Sequence, residues 1–143
     1  MKELRTEIQI KASPDKIWAV LTDFKKYPEW NPMIKSFEGK LAIGEKVTVR
    51  LQQPGSSAMT FKPTITLMIP NKTFRWQGHL LISGLFDGEH IFEIEDKKNG
   101  TSTFIHRENF KGILIPLFKK MIEVNTKQGF ELMNVELKKR CES

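Results

Sequence analysis

From Leu4 to Ala12 the chain alternates: Leu4, Ile8, Ile10 and Ala12 share one parity, while Arg5, Glu7, Gln9 and Lys11 share the other. That period of two predicts a strand with one buried face. Ser13 is a good helix N-cap, and Pro14 at the first helical position lacks a donor that would go unpaired there anyway. Ile17, Val20, Leu21 and Phe24 then follow the i, i+3, i+4, i+7 spacing of one buried helical face. Pro28 and Pro32 end regular helix and leave room for a short second helix around Tyr27 to Trp30.

The period of two then returns. Val47, Val49 and Leu51 alternate with Lys46, Thr48, Arg50 and Gln52, and Pro54-Gly55-Ser56-Ser57 signals a turn. Phe61, Pro63, Ile65, Leu67 and Ile69 share a parity in the next run, where Pro63 implies an edge position or a bulge. A four-residue turn at Pro70-Asn71-Lys72-Thr73 would set Leu67 against Trp76 and Ile65 against Gly78. In the last hairpin His90, Phe92 and Ile94 fall on one parity, and so do Phe104, His106, Glu108 and Phe110. Holding both sets on one side of a sheet requires an odd-length loop. Lys98-Asn99-Gly100 supplies it, with Gly100 in the left-handed position. His90 then lies across from Glu108, Phe92 from His106, and Ile94 from Phe104.

After Gly112 a long helix is expected over roughly Leu114 to Lys139. Its inner stripe reads Leu114, Phe118, Met121, Ile122, Asn125, Gly129, Leu132 and Met133, and Glu123 and Lys127 form an i, i+4 pair on the solvent side. Gly129 is unexpected there, because a mid-helix glycine costs about 0.8–1 kcal/mol relative to alanine. The order of one strand, two helices, six strands and a long helix describes one α+β domain over residues 1–143. Its antiparallel sheet would have about seven strands.

Composition narrows the function class. With 143 residues, 39% hydrophobic and 28% charged, the chain has the content of a folded globule. Charges at Lys2, Glu3 and Arg5 interrupt the place where a secretory apolar core would lie, and no apolar run reaches membrane-spanning length. The single cysteine, Cys141, has no partner for an internal disulfide. A cytoplasmic location is therefore expected. The formal charge of +6 raises the question of nucleic acid. The lysines are scattered in pairs without an aromatic stacking platform, so a solvated basic surface is the reading, without nucleic-acid binding or stable membrane insertion.

The run Ile10-x-Ala12-Ser13-Pro14-x-x-x-Trp18, followed by Asp23-Phe24, Trp30 and Pro32, resembles the opening of the START-like (SRPBCC) helix-grip superfamily, in its polyketide cyclase/dehydrase-like branch. Leu41-x-x-Gly44-x-x-Val47 and the hairpin-then-helix ending resemble the same branch. The resemblance implies a helix-grip fold like that of the START and plant pathogenesis-related ligand carriers. In that fold a curved sheet wraps a long C-terminal helix around a ligand cavity. It also implies a hydrophobic ligand such as a lipid, a polyketide or an aromatic, with no cofactor. The matched positions are architectural, so they transfer no catalytic residue. They are also shared with a co-chaperone group, which leaves a protein-interaction module as a further reading.

If the sheet encloses a cavity, the inward parities and the inner helix face name its wall. They are Phe61, Ile65, Leu67, Trp76, Phe86, His90, Phe92, Phe104, His106, Glu108, Phe118, Met121, Ile122, Asn125 and Met133. Gly78, Gly84 and Gly88 would leave room in it. His90 beside Glu108 is the sharpest constellation: a carboxylate next to an imidazole favours the charged pair, while burial opposes both charges. Such a dyad can serve as general acid and base, or it can be a structural cross-strand contact. His90, His106 and Glu108 also have the composition of a two-histidine, one-carboxylate site, but no fourth ligand is evident and no metal is expected. Trp18, Tyr27 and Trp30 are read as locking the first helix to the sheet, and His79 as a surface residue.

Overall fold

The structure, a computed structural model, describes residues 2–80 and 83–143. Strand β1 (Lys2–Ile10) leads through Ser13 into α1 (Pro14–Thr22). Ser13 holds an extended N-cap backbone and its carbonyl accepts the Ile17 N–H at 3.1 Å, although its hydroxyl makes no capping bond. A single 3₁₀ turn, Phe24–Lys26, joins α1 to α2 (Tyr27–Trp30). Tyr27 is fully buried and its hydroxyl donates to the Leu21 carbonyl, while Trp18 and Phe24 set their rings edge-on to Phe74. These aromatics fasten the helices to the sheet.

The remaining strands are β2 (Ile34–Glu38), β3 (Thr48–Leu51), β4 (Met59–Phe61), β5 (Thr64–Ile69), β6 (Thr73–Leu80), β7 (Phe86–Asp96) and β8 (Ser102–Lys111). They form two antiparallel sheets, in the orders β1-β8-β7-β6-β5 and β2-β3-β4. Among the described residues there are eight strands, against about seven expected, because the run containing Pro63 is cut in two. Proline cannot donate to a ladder, and the break falls at Lys62-Pro63. A bridge between Lys46 and Thr64 and the Val47 N–H to Pro63 carbonyl bond (3.0 Å) join the two sheets at that break.

The β7–β8 register is the one the alternation implies: His90 opposite Glu108, Phe92 opposite His106, Ile94 opposite Phe104, with Gly100 at φ 85° in the loop. The β5–β6 register is not. Ile65 pairs with Trp76 and Leu67 with Arg75, rather than Leu67 with Trp76 and Ile65 with Gly78. The turn is one residue shorter than expected, with Ile69 opposite Thr73 and Asn71 at φ 65°, and a bulge follows between Ile65 and Leu67. Leu67 therefore lies in the outer row with Arg75, Ile91 and Arg107. Ile91 is fully buried on that face beneath an ion-pair lattice in which Glu93 meets Arg107 (2.8 Å) and Arg75 (3.7 Å).

The C-terminal helix is also not the uniform helix expected. A 3₁₀ turn (Ile115–Phe118) is followed by α3 (Lys119–Met121), a π-helical stretch (Ile122–Thr126) and α4 (Lys127–Glu142). The π stretch advances the phase of everything after it. Leu132, expected inside, is 45% exposed, while Phe130, Met133, Asn134, Leu137 and Cys141 are buried. Glu123 bonds Lys2 (2.8 Å) rather than Lys127. Gly129 has a packing reason: a β-carbon there would meet Met33 Sδ at 3.2 Å and Pro54 Cδ at 3.4 Å. Cys141 is fully buried, and burial pushes its thiol up to about 11. No helix among the described residues is long and apolar enough to cross a membrane.

Candidate functional site

Two rows of side chains cross the concave face of the larger sheet. One runs Phe74, Phe92, His106, Thr6 and the next runs Trp76, His90, Glu108, Leu4. His90 and His106 are diagonal neighbours within this lattice, and they point their Nε2 atoms at each other 2.6 Å apart. His106 Nδ1 lies 3.0 Å from Asn134 Oδ1, which α4 brings down onto the sheet. Asn134 Nδ2 donates to Thr6 Oγ1 (2.9 Å), and that hydroxyl donates to the His106 carbonyl (3.0 Å). Phe130 stacks flat on the His106 ring, with centroids 3.9 Å apart and planes 4° from parallel.

Charge is suppressed throughout this cluster. His90 is 2% exposed and His106 fully buried. Burial, and secondarily the neighbouring His106, holds His90 well below its ordinary value. Burial likewise takes His106 down to about 3, with the Asn134 hydrogen bond opposing it. Glu108 lies 3.8 Å from His90 Nδ1, and desolvation raises its carboxyl to about 8. Desolvation outweighs the attraction between the two, so near neutral pH the pair is a carboxylic acid beside a neutral imidazole rather than an ion pair.

Above this pair opens a cavity of about 330 Å³. Its floor is Trp76, His90, Glu108 and the cross-strand glycines Gly78 and Gly88. Gly88 is where the Glu108 carboxyl rests: a β-carbon there would lie 2.2 Å from Glu108 Oε2. The smaller sheet contributes Val49, Leu51, Met59 and Phe61 to one wall, and Phe86, Phe110, Phe118 and Met121 build another. Thr126, from the π stretch, adds a buried hydroxyl with no hydrogen-bond partner among the described residues. Exposed Ser56, Ser57, Met59 and His79 mark the rim. His79 is held there by Asp87 (2.8 Å).

The sequence profile of the family described as "Polyketide cyclase / dehydrase and lipid transport" matches residues 1–142. The chain belongs to this family. No curated protein sequence matches it. Among solved structures, this cyclase/dehydrase-family chain is similar to the Zhui aromatase/cyclase from a Streptomyces species, with a TM-score of 0.77 at 13% identity. That match covers 99% of this chain and 93% of the other. It is similar to a START superfamily protein from Mycobacterium smegmatis, with a TM-score of 0.74 at 19% identity over 98% and 97% of the two chains. It also resembles a norcoclaurine synthase point mutant from Thalictrum flavum, bound to a transition-state analogue, with a TM-score of 0.73 at 18% identity over 99% and 94%. At these identities the likeness is one of fold, the START-like helix grip.

Within this family member, seven of the residues expected at a ligand wall line the cavity: Phe61, Trp76, Phe86, His90, Glu108, Phe118 and Met121. Ile65, Phe92, Phe104, Ile122 and Met133 are buried in the packed core and do not reach it. Leu67 is absent from the wall because the shorter turn moves it to the outer row. His106 sits behind His90 rather than on the surface of the hollow. Asn125 is drawn away to donate to the Pro54 carbonyl (3.2 Å). Gly84 lies in a turn at φ 93°, outside the cavity lining. Among the described residues no cluster of three or more His, Cys, Asp or Glu is placed for a metal. His90 and His106 aim their Nε2 atoms at each other, and His106 Nδ1 is taken by Asn134. Sequence reasoning passed over Thr6, Asn134 and Thr126. Thr6 shares the inward parity of Leu4 and Ile8, which was its one visible signal.

Proposed function

We propose that this chain binds a hydrophobic small molecule between its sheet and its C-terminal helical segment, with the ligand's polar group at His90 and Glu108. One observation carries this reading: a cavity of about 330 Å³ with aromatic and aliphatic walls ends on two polar side chains, buried His90 and half-buried Glu108, whose charged forms desolvation disfavours. Pockets for small ligands span about 300–1,000 Å³ and use a few polar groups to orient an apolar body. The lipid transport in the family's description supports the same reading. Trp76 on the floor provides the readout. Titration with naphthalene-sized aromatics should change its fluorescence saturably and raise Tm by mass action. A spectrum and Tm that stay unchanged with every such probe would sink the proposal.

A second reading is acid–base chemistry on the bound molecule. Glu108 retains its proton up to about 8 and faces a neutral imidazole, which suits a general acid beside a general base near neutral pH. The aromatase/cyclase among the similar folds supports it. Glu108→Gln should then abolish turnover of a polyketide-like substrate while binding survives. A variant that retains full turnover removes this reading and leaves the first intact.

A further inference from the structure

Hydrogen-bond polarity can be followed without a break from β1 to the cavity floor. Thr6 has one hydroxyl proton, and it goes to the His106 carbonyl. Thr6 must therefore accept from Asn134, which turns the amide NH₂ toward Thr6 and the amide oxygen toward His106. An amide oxygen only accepts, so His106 carries its proton on Nδ1. A neutral imidazole has one proton, and His106 Nε2 is therefore a bare acceptor. The atom 2.6 Å away, His90 Nε2, must be the donor. His90 then has its own proton committed inward, and its Nδ1 lone pair faces Glu108 and the cavity.

Resting on the pocket-binding reading above, we infer that Thr6, Asn134 and His106 lock His90 in its Nε2–H tautomer, so that His90 Nδ1 and the Glu108 carboxyl form a socket for one hydroxyl group of an otherwise apolar alcohol or phenol. The separation of 3.8 Å is too long for a direct hydrogen bond. It does admit a third oxygen about 2.8 Å from each atom. A hydroxyl there donates to the imidazole lone pair and accepts from the carboxylic acid, using both of its hydrogen-bonding capacities. An ether or ketone can accept from Glu108 but leaves His90 Nδ1 unpaired, and a carboxylate sets its charge in an apolar enclosure. Gly78, where a β-carbon would meet only Pro63 Cβ at 3.8 Å, gives the ring system beside that hydroxyl its room. His106 and Asn134 touch no ligand in this arrangement and act as positioning residues.

Two measurements test this. Nitrogen-15 spectra of the imidazoles in the ligand-free protein should show a protonated Nε2 and bare Nδ1 at His90, with the reverse at His106. The opposite tautomer or an imidazolium at His90 overturns the lock. Calorimetry with 2-naphthol, 2-methoxynaphthalene and naphthalene should give the naphthol at least tenfold tighter binding than its methyl ether. His90→Phe should erase that difference while the skeleton still binds. Equal affinity for naphthol and ether overturns the socket and leaves the pocket reading standing, whereas no binding by any of the three overturns the pocket reading. Asn134→Asp adds a readout that a purely structural role would not move. The introduced carboxylate stabilises an imidazolium at His106, which takes its second proton from solvent and carries it on Nε2; His90 Nε2 must then accept, His90 flips to its Nδ1–H tautomer, and the preference should shift toward the ether.

Discussion

Glu108 and the two buried histidines make folding depend on pH in opposite directions. An unfolded Glu108 releases its proton near 4.5, whereas the folded one holds it to about 8. Its contribution to stability is complete below the lower value and is lost as pH rises through the upper one. His90 and His106 have folded values below the ordinary 6.5, so their contribution is present above that value and is lost as pH falls. Glu108→Gln should remove the alkaline loss alone. Urea unfolding should show the parent losing up to about 4 kcal/mol between roughly pH 5 and pH 8 relative to the variant. Parallel pH profiles would show that the carboxyl is not desolvated. Thr6→Val, which keeps shape and removes the hydroxyl, should cost about 1–3 kcal/mol, because the buried Asn134 NH₂ loses its acceptor. Equilibrium unfolding checks that value.

At the scale of elements, the junctions decide what was legible. The β7–β8 hairpin could be read to the residue because both strands alternate cleanly and Gly100 marks the loop. β5–β6 defeated the same reasoning: two adjacent apolar residues, Leu67 and Met68, fit either register, and only the turn length and bulge choose between them. The helix was readable as far as Ile122. Beyond it, the π stretch moves Asn134 to the sheet and Leu132 to solvent, and nothing in the periodicity announces that shift. The site inherits the same division. His90 and Glu108 came from strand parity, whereas Asn134 depended on a helical phase that sequence did not display. Gly112 at φ 138° ends β8, and a β-carbon there would meet the Leu85 carbonyl oxygen at 2.3 Å. That neighbour is backbone and cannot step aside. Gly112→Ala should therefore destabilise the fold by about 2–4 kcal/mol in thermal or urea unfolding.

For the whole molecule, the hollow is the property on which the proposed function depends. It can be filled without disturbing the fold. A β-carbon at Gly78 would make only an ordinary contact with Pro63 Cβ at 3.8 Å, and a β-branched residue suits a strand. Gly78→Val should fold with an unchanged or slightly higher Tm and bind aromatic probes at least tenfold more weakly, about 1.4 kcal/mol. Undiminished affinity would place the ligand elsewhere. The single thiol of this chain, Cys141, sits on the buried face of α4 and cannot meet a water-borne reagent while that helix stays docked. Disulfide dyes in excess should thus modify the native protein no faster than α4 lifts away, so the colour they release acts as a clock for that excursion. Slowing of the clock by a bound guest would report, without any added label, that occupying the chamber also steadies a helix whose residues lie outside its wall.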